Sequence, residues 1–385
     1  MNRAKWAAAT AVLVLMTAAC ASSKSGSSTA TKPSDQPAAT AGASTGADTG
    51  GELAKFQAIV DKSSAAVTWN GPTEAAKAPG GKKVGILSCT FALEGCRLPT
   101  EAVAVAVKKL GWTSKTVVAN DPSQYTSGLK SLLVGKPDIV FTTGVNAALI
   151  GDAIKAAKAQ GTLLVSLIEN SKVDPANGYD ADVTPNGDAV GRALGAKMII
   201  DAKGDLKLFD MHDGEFGFAV AVEKGVLASV AECSTCKIEK TLNFTASEIG
   251  TSVGKSVVTG IQSNPSINAL FVTYDPIIGV VVPALLNARL NTAKVYSQLG
   301  TSDALNFMRQ GKLLVADMAT PEAWIGWAGV DAGIRLLNKQ PLVAENLPIK
   351  ILQKENLPPV GKSFTGESDG VDYQSKYLAL WGVGG

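Results

Sequence analysis

The stretch M-H-D-G-E, residues 211–215, sets His212 beside Asp213 at the end of an apolar run. An α/β enzyme often holds a general base at such a place. His212 is the only histidine among 385 residues, so a Ser-His-Asp relay has a single candidate base. No G-x-S-x-G elbow supplies a nucleophile for it. A zinc site would have to be built from cysteines or carboxylates. The chain holds one C-x-x-C, C-S-T-C from Cys233 to Cys236, which sits between a helical pattern and the next strand. A thioredoxin-type motif instead opens a helix directly after a strand. These residues point to a protein that carries out no catalysis and needs neither metal nor cofactor.

The first twenty residues read as an address. Arg3 and Lys5 precede an apolar run from Trp6 to Met16, too short to span a bilayer as a helix. T-A-A-C follows, ending at Cys20. Small residues before a cysteine, directly after the apolar run, resemble a bacterial lipobox, although Thr17 stands where Leu or Val is commoner. The resemblance implies that Cys20 is acylated, becomes the new N-terminus and anchors the protein to the outside of the cell membrane. Residues 21–51 are Ser, Thr, Ala, Gly and Pro with almost no large apolar group, the composition of a flexible tether. The body carries 36 basic and 34 acidic residues for a net charge of +2. No basic stripe suits nucleic acid, so none is expected as a partner.

The elements that must position any site follow a regular alternation. Residues 52–81 read as an amphipathic helix and a loop that Trp69 pins to the body. Strands are expected at 83–88, 115–119, 138–142 and 163–168, with helices at 99–110, 122–134 and 146–160 between them. A loop rich in Asp, Pro, Asn and Gly runs to Pro185, and the cycle restarts. Its strands lie at 206–210, 237–242, 269–273, 294–297, 313–317 and 348–352. Its helices lie at 186–202, 216–231, 247–263, 277–289, 302–310 and 322–338. Apolar strands separated by helices imply parallel sheets covered on both faces, and two runs of the pattern imply two such sheets. Ligands of open α/β sheets sit off the carboxyl ends of the strands. With Cys20 acylated, four cysteines remain and allow three pairings. A cross-pairing would bolt the halves together if each half owns one pair, which a body that must open cannot tolerate. Cys89–Cys96 and Cys233–Cys236 are therefore the expected disulfides.

In order and spacing the chain resembles the type I periplasmic binding proteins, in the sugar-binding branch that also supplies the sensor domain of LacI-type repressors. The likeness covers about residues 82–352. It is carried by K-V-G-I-L-S (83–88), K-K-L-G-W (108–112), P-D-I-V-F-T-T (137–143), A-I-K-A-A-K-A-Q-G (153–161), I-N-A-L-F-V-T-Y-D (267–275) and G-K-L-L-V-A-D-M-A-T-P (311–321). A lipobox precedes the core and no helix-turn-helix does, which fits the transporter branch. The resemblance implies an α/β fold of two doubly wound parallel-sheet lobes joined by three hinge strands, near Val183–Pro185, Ala319–Pro321 and Lys350–Gln353. Lobe one would be 82–183 plus 321–350, and lobe two 184–320 plus 351–385. Function would be capture of a small molecule between the lobes by a monomer and its delivery to an ABC transporter permease. A ligand receptor for a membrane sensor is the alternative, and an enzyme the remoter one.

Loops at strand ends supply the expected ligand contacts: Phe91, Glu94, Thr143, Asn146, Glu169 and Asn170 in lobe one; Phe216, Phe244 and Tyr274 in lobe two; and Trp324 after the second hinge. Phe244 falls where relatives carry a sugar-stacking aromatic. Four departures stand out. Ile168 and Glu169 occupy the place of an Asp-Arg pair, Val222 that of an Arg, Leu299 that of an Asp, and Ala319 that of a Gln or Asn. A sugar needs nearly every hydroxyl paired, since an unpaired buried polar group costs about 1–3 kcal/mol. The departures therefore predict a less polar or aromatic ligand.

Overall fold

The computed structural model describes residues 49–383. Cys20, the leader and nearly all of the tether lie outside the described residues. Among the described residues eleven strands alternate with helices, except that β4 leads to β5 with no helix between them. The strands are β1 (Lys83–Ser88), β2 (Thr113–Val118), β3 (Ile139–Thr143), β4 (Leu163–Leu167), β5 (Ala181–Val183), β6 (Lys207–His212), β7 (Lys237–Asn243), β8 (Ala269–Phe271), β9 (Lys294–Leu299), β10 (Leu314–Ala319) and β11 (Lys350–Leu352). The α-helices are α1 (Thr49–Ser64), α2 (Glu94–Lys109), α3 (Tyr125–Leu133), α4 (Gly151–Ala159), α5 (Gly187–Asp201), α6 (Gly217–Ala231), α7 (Gly254–Ser263), α8 (Ile278–Asn287), α9 (Ser302–Arg309), α10 (Glu322–Leu337) and α11 (Tyr373–Trp381).

Two sheets form two lobes. The first has the order β2-β1-β3-β4-β5 and is parallel throughout. The second has the order β11-β10-β9-β8-β6-β7, parallel except where β11 runs against β10. β3 is buried along its whole length, as a strand covered by helices on both faces must be. The edges are different. β2 exposes its first four residues and β7 carries Lys237 and Lys240, charges that discourage pairing with another chain.

α2 begins at Glu94, five residues before the expected Pro99, so Cys96 lies in its first turn rather than in a loop. Pro99 is accommodated in the second turn. There the Thr100 and Ser88 hydroxyls both donate to the Cys96 carbonyl, at 2.8 and 3.3 Å. Cys89 and Cys96 are bonded, as are Cys233 and Cys236, with Cα–Cα separations of 5.6 and 5.3 Å. The expected helix 247–263 is three pieces, a 3₁₀ turn, a π turn and α7, with Gly250 in the π turn. β5 ends at Val183, where the first hinge strand is expected to begin, and lies in the first sheet; a three-residue strand inside a turn-rich loop has no periodicity to fix its bounds.

The tail corrects one expectation. Residues after 351 do not all stay with lobe two: α11 packs on α10, whose other contacts are with α2, β4 and β5 of lobe one. The reason is aromatic. Trp324 stacks between Trp69 and Tyr373, Trp327 stacks on Trp381, and Trp381 Nε1 donates to buried Asp331 at 2.8 Å. Meanwhile α1 packs on α5 and β11 of lobe two. Residues 65–82 and 353–372 therefore also pass between the lobes, beside the three hinge strands. One contact ties these passages down: Lys350 of β11 holds Asp369 at 2.6 Å, and Asp369 accepts the Val67 N–H at 2.9 Å.

Candidate ligand-binding cleft

The carboxyl ends of both sheets face each other, and the turns that leave them build the site. β1 gives way to Leu93–Gly95 and the start of α2, held down by the Cys89–Cys96 disulfide. β4 turns at Ile168, a β-branched residue held at φ 59°, and Asn170 follows at φ 56°. In lobe two β9 ends on Leu299 at φ 121°. Such backbone is routine for Asn but costly for Ile168 and Leu299, and persists there where the surroundings over-determine it. Ile168 and Leu299 point into the same place, a cavity of about 60 Å³ between the lobes. Leu93, Gly95, Cys96 and Ile168 form its wall from lobe one. Phe216, Phe218, Ala219, Tyr274, Pro276, Gln298 and Leu299 form the facing wall. The departures at 168 and 299 thus make the cavity apolar, with aromatic rings on one side.

The lobes touch at this cavity. A Cβ placed on Gly217 would lie 2.1 Å from the Glu169 carbonyl oxygen, and one on Gly95 would lie 3.2 Å from Leu299 Cδ1. Gly217 opens α6, and its N–H donates to the Glu169 carboxylate across the gap. Asn146 donates to the same carboxylate and caps the turn after β3 by accepting the Ala148 N–H. Burial pushes Glu169 up to about 8, against the two hydrogen bonds and with help from nearby Asp182. Glu322, at the start of α10, accepts from Thr320 Oγ1 at 2.5 Å, and burial pushes it too up to about 8. Glu94 accepts the Ser363 hydroxyl at 2.8 Å and pairs with Arg97; burial still raises it above the ordinary carboxylate range.

Of the residues named from sequence, Phe216 and Tyr274 line the cavity directly. Their rings meet edge-on at 5.9 Å, and Tyr274 OH donates to Asp213 at 2.6 Å. Phe244 packs behind Tyr274 at 6.4 Å. Glu94 and Glu169 are chain neighbours of wall residues, and neither they nor Asn146 is part of the wall itself. Phe91 sits half-buried in the turn after β1, outside the wall. Thr143 is buried, and its hydroxyl accepts from Thr100 at 3.0 Å beneath the cleft. Asn170 faces a separate hollow of about 1190 Å³ along the hinge segments, where Lys62 and Lys224 also lie. That hollow is larger, and residues of β5, α1, α5, α6, α10 and the 342–349 segment line it without an aromatic side chain, so the smaller cavity, with its aromatic wall, is the better site. Trp324 is a correction: it is fully buried in the aromatic stack and has no face on the cleft. Trp324→Phe should lower the denaturation midpoint, costing about 1–2 kcal/mol, and leave ligand affinity unchanged in a titration. Sequence reasoning missed Gly217, Gln298 and Glu322. Only Gly217 carried a signal, as a glycine opening a helix beside a strand end.

His212 lies outside the cavity wall. Its Nδ1 is 2.5 Å from Glu223 Oε2, and Asp210 beneath is pushed up to about 7 by burial and by Glu223. No hydroxyl or thiol stands against the ring among the described residues. None of the described helices is long and apolar enough to cross a membrane.

Comparison with known proteins accords with this geometry. A sugar ABC transporter protein from Yersinia enterocolitica subsp. enterocolitica superposes with a TM-score of 0.66 at 15% identity, covering 79% of this chain and 95% of that one. A solute-binding protein from Mycobacterium smegmatis with bound glycerol gives 0.65 at 16% identity, with 74% and 100% covered. A 5-methylthioribose transporter solute-binding protein from Thermotoga lettingae gives 0.64 at 16%, with 80% and 95% covered. At such identities the likeness speaks to the fold. No curated protein matches the sequence. The sequence profile of the periplasmic binding protein domain matches residues 94–341, well over half of the chain, and the protein belongs to that family.

Proposed function

We propose that the protein is an extracytoplasmic solute-binding lipoprotein that closes its two lobes on a small organic molecule and delivers it to an ABC importer. The observation that carries this is the cavity itself, walled by strand ends of both lobes, with Gly217 and Glu169 meeting across the seam. The wall chemistry favours a compound with an apolar or aromatic portion over a simple hexose, because Ile168 and Leu299 can pair with no hydroxyl. Export and anchoring rest on the lipobox-like T-A-A-C at Cys20 and the tether after it. An enzyme gains nothing from the geometry, since His212 faces a buried carboxylate pair and no nucleophile. A sensor-coupled receptor would use the same clamp.

Native mass spectrometry of protein purified gently from its own cell envelope tests the reading. A bound small molecule that is lost on partial unfolding is expected, together with palmitate labelling that Cys20→Ala removes. Protein that never carries a ligand, and whose unfolding midpoint no envelope or medium extract raises, would overturn it.

A further inference from the structure

One side chain is hydrogen-bonded to both lobes beside the cavity wall. Ser363 Oγ accepts the Ser302 N–H at 3.0 Å and donates to Glu94 Oε1 at 2.8 Å. Ser302 opens α9 in lobe two, three residues beyond the wall residue Leu299. Glu94 opens α2 in lobe one, between the wall residues Leu93 and Gly95. Ser363 itself belongs to neither sheet. It lies in the passage that leaves β11 and runs to α11.

That passage is fastened to lobe two up to the seam. The Arg309 guanidinium of α9 donates to the Pro358 and Pro359 carbonyls, and the Phe364 N–H donates to the Gly300 carbonyl at 2.9 Å. Phe364 is buried there, and a Cβ on Gly300 would lie 3.0 Å from its Cβ. When the lobes part, Ser363 therefore stays with lobe two, and its bond to Glu94 is the one that breaks. The closed seam needs such a bond. Lobe two faces Glu94 with Asp303, in the first turn of α9, and with Asp275, so closure brings like charges together. Arg97 answers them only from Glu94's own helix, at 3.5 Å. The Ser363 hydroxyl is a donor that reaches Glu94 from the far lobe. No side chain caps the start of α9, and the Ser302 N–H is one of its free donors. By accepting that N–H, Ser363 commits its lone pair to lobe two and keeps its single proton for the carboxylate.

Resting on the solute-clamp reading above, we infer that Ser363 is a closure latch: a positioning residue, carried on lobe two, that grips lobe one through Glu94 and keeps the cavity walls together. A bond made only in the closed state shifts the opening equilibrium by its full worth. It slows the escape of a captured solute and leaves entry to the open clamp as it was.

Amide hydrogen exchange on the full chain tests this without any solute. The Gly217 N–H donates to Glu169 across the same seam and is freed when the lobes part, whereas the amides of β3 report on the fold itself. Ser363→Ala should speed exchange at Gly217 about tenfold, the loss of one charge-assisted hydrogen bond, with the β3 amides and the thermal unfolding midpoint near those of the parent. Ser363→Thr keeps the hydroxyl and should restore slow exchange. In a Glu94→Ala background the Ser363→Ala change should add nothing, because the bond is already gone. A Gly217 amide that exchanges freely in the parent, or as slowly in Ser363→Ala as in the parent, overturns the inference. So does a full-sized effect of Ser363→Ala in the Glu94→Ala background. Acceleration shared equally by the β3 amides, or not rescued by threonine, marks a merely structural serine and ends it too. None of these results touches the clamp reading, which falls only on the co-purification test.

Discussion

Gly217→Ala should leave a stably folded protein whose lobes no longer close and whose ligand affinity falls about a hundredfold, or about 2.7 kcal/mol. Within lobe two the change is benign. Gly217 opens α6 with a φ outside the left-handed region, and alanine is the better helix former. The damage comes only from the other lobe. The new Cβ would sit 2.1 Å from the Glu169 carbonyl oxygen, a distance no real contact sustains. Backbone stands on both sides of that contact, so no side chain can swing away. The lobes must separate, the N–H of residue 217 loses the Glu169 carboxylate, and the facing walls of the cavity move apart. Small-angle scattering should show no compaction on adding ligand, and titration should show the affinity loss, with an unfolding midpoint near that of the parent. An unchanged affinity would mean that the solute is held by one lobe alone.

The alternation of short apolar runs with amphipathic ones made the two covered sheets legible, since a strand buried on both faces has no other use for K-V-G-I-L-S or I-V-F-T-T. The same logic pointed to the strand ends, where Phe216 and Tyr274 line the cavity between the lobes. It failed where periodicity gives out. β5 is three residues in a turn-rich loop. α2 starts five residues before the proline that should open it, because the Cys89–Cys96 bridge and the Thr100 hydroxyl stabilise a start that local preference does not favour. α11 belongs to lobe one because Trp327 and Trp381 stack across fifty-odd residues of intervening chain, a fact about tertiary packing that no local window contains. Trp324 was misplaced for the same reason: a large aromatic after a hinge looks like a ligand platform until Trp69 and Tyr373 are seen on its two faces.

The site's polar half was the least legible part. Glu322 follows Pro321 at a helix start, where an acidic residue ordinarily serves the helix dipole in solvent. Only the fold shows that it is buried, that Thr320 occupies one oxygen and that the other faces Gly95. Burial is what turns such a residue from routine to costly, and it sets up a pH dependence that most proteins of balanced charge lack.

Stability should be greatest near pH 5 and fall as pH rises toward about 8, with the unfolding midpoint dropping by about 5 °C or more. Glu169 and Glu322 are each pushed up to about 8, and Asp210 to about 7. In the unfolded chain all three titrate near the ordinary carboxylate values of about 4. Between those limits the folded protein binds more protons than the unfolded one, so the slope of stability with pH is negative, at most about 1.4 kcal/mol per pH unit for each group. The stability is fully present below the unfolded values and is lost as pH passes the folded ones. Asp121, Asp138, Asp174, Glu232, Glu248 and Asp372 are shifted the other way by hydrogen bonds, so they contribute below about pH 4 and place the maximum just above it. Four of them are exposed and Asp138 and Asp174 are half-buried, so they set a shallower limb. Glu322→Gln keeps the shape and the Thr320 contact while removing the proton. The variant should therefore unfold at a higher temperature than the parent at about pH 8.5 and at much the same temperature at about pH 5, flattening the profile. Thermal unfolding across that range checks both limbs; a parent midpoint that rises from pH 5 to pH 8 would mean that the two cleft carboxyls are ionised and compensated in the free protein, and that their burial is not what shapes its stability.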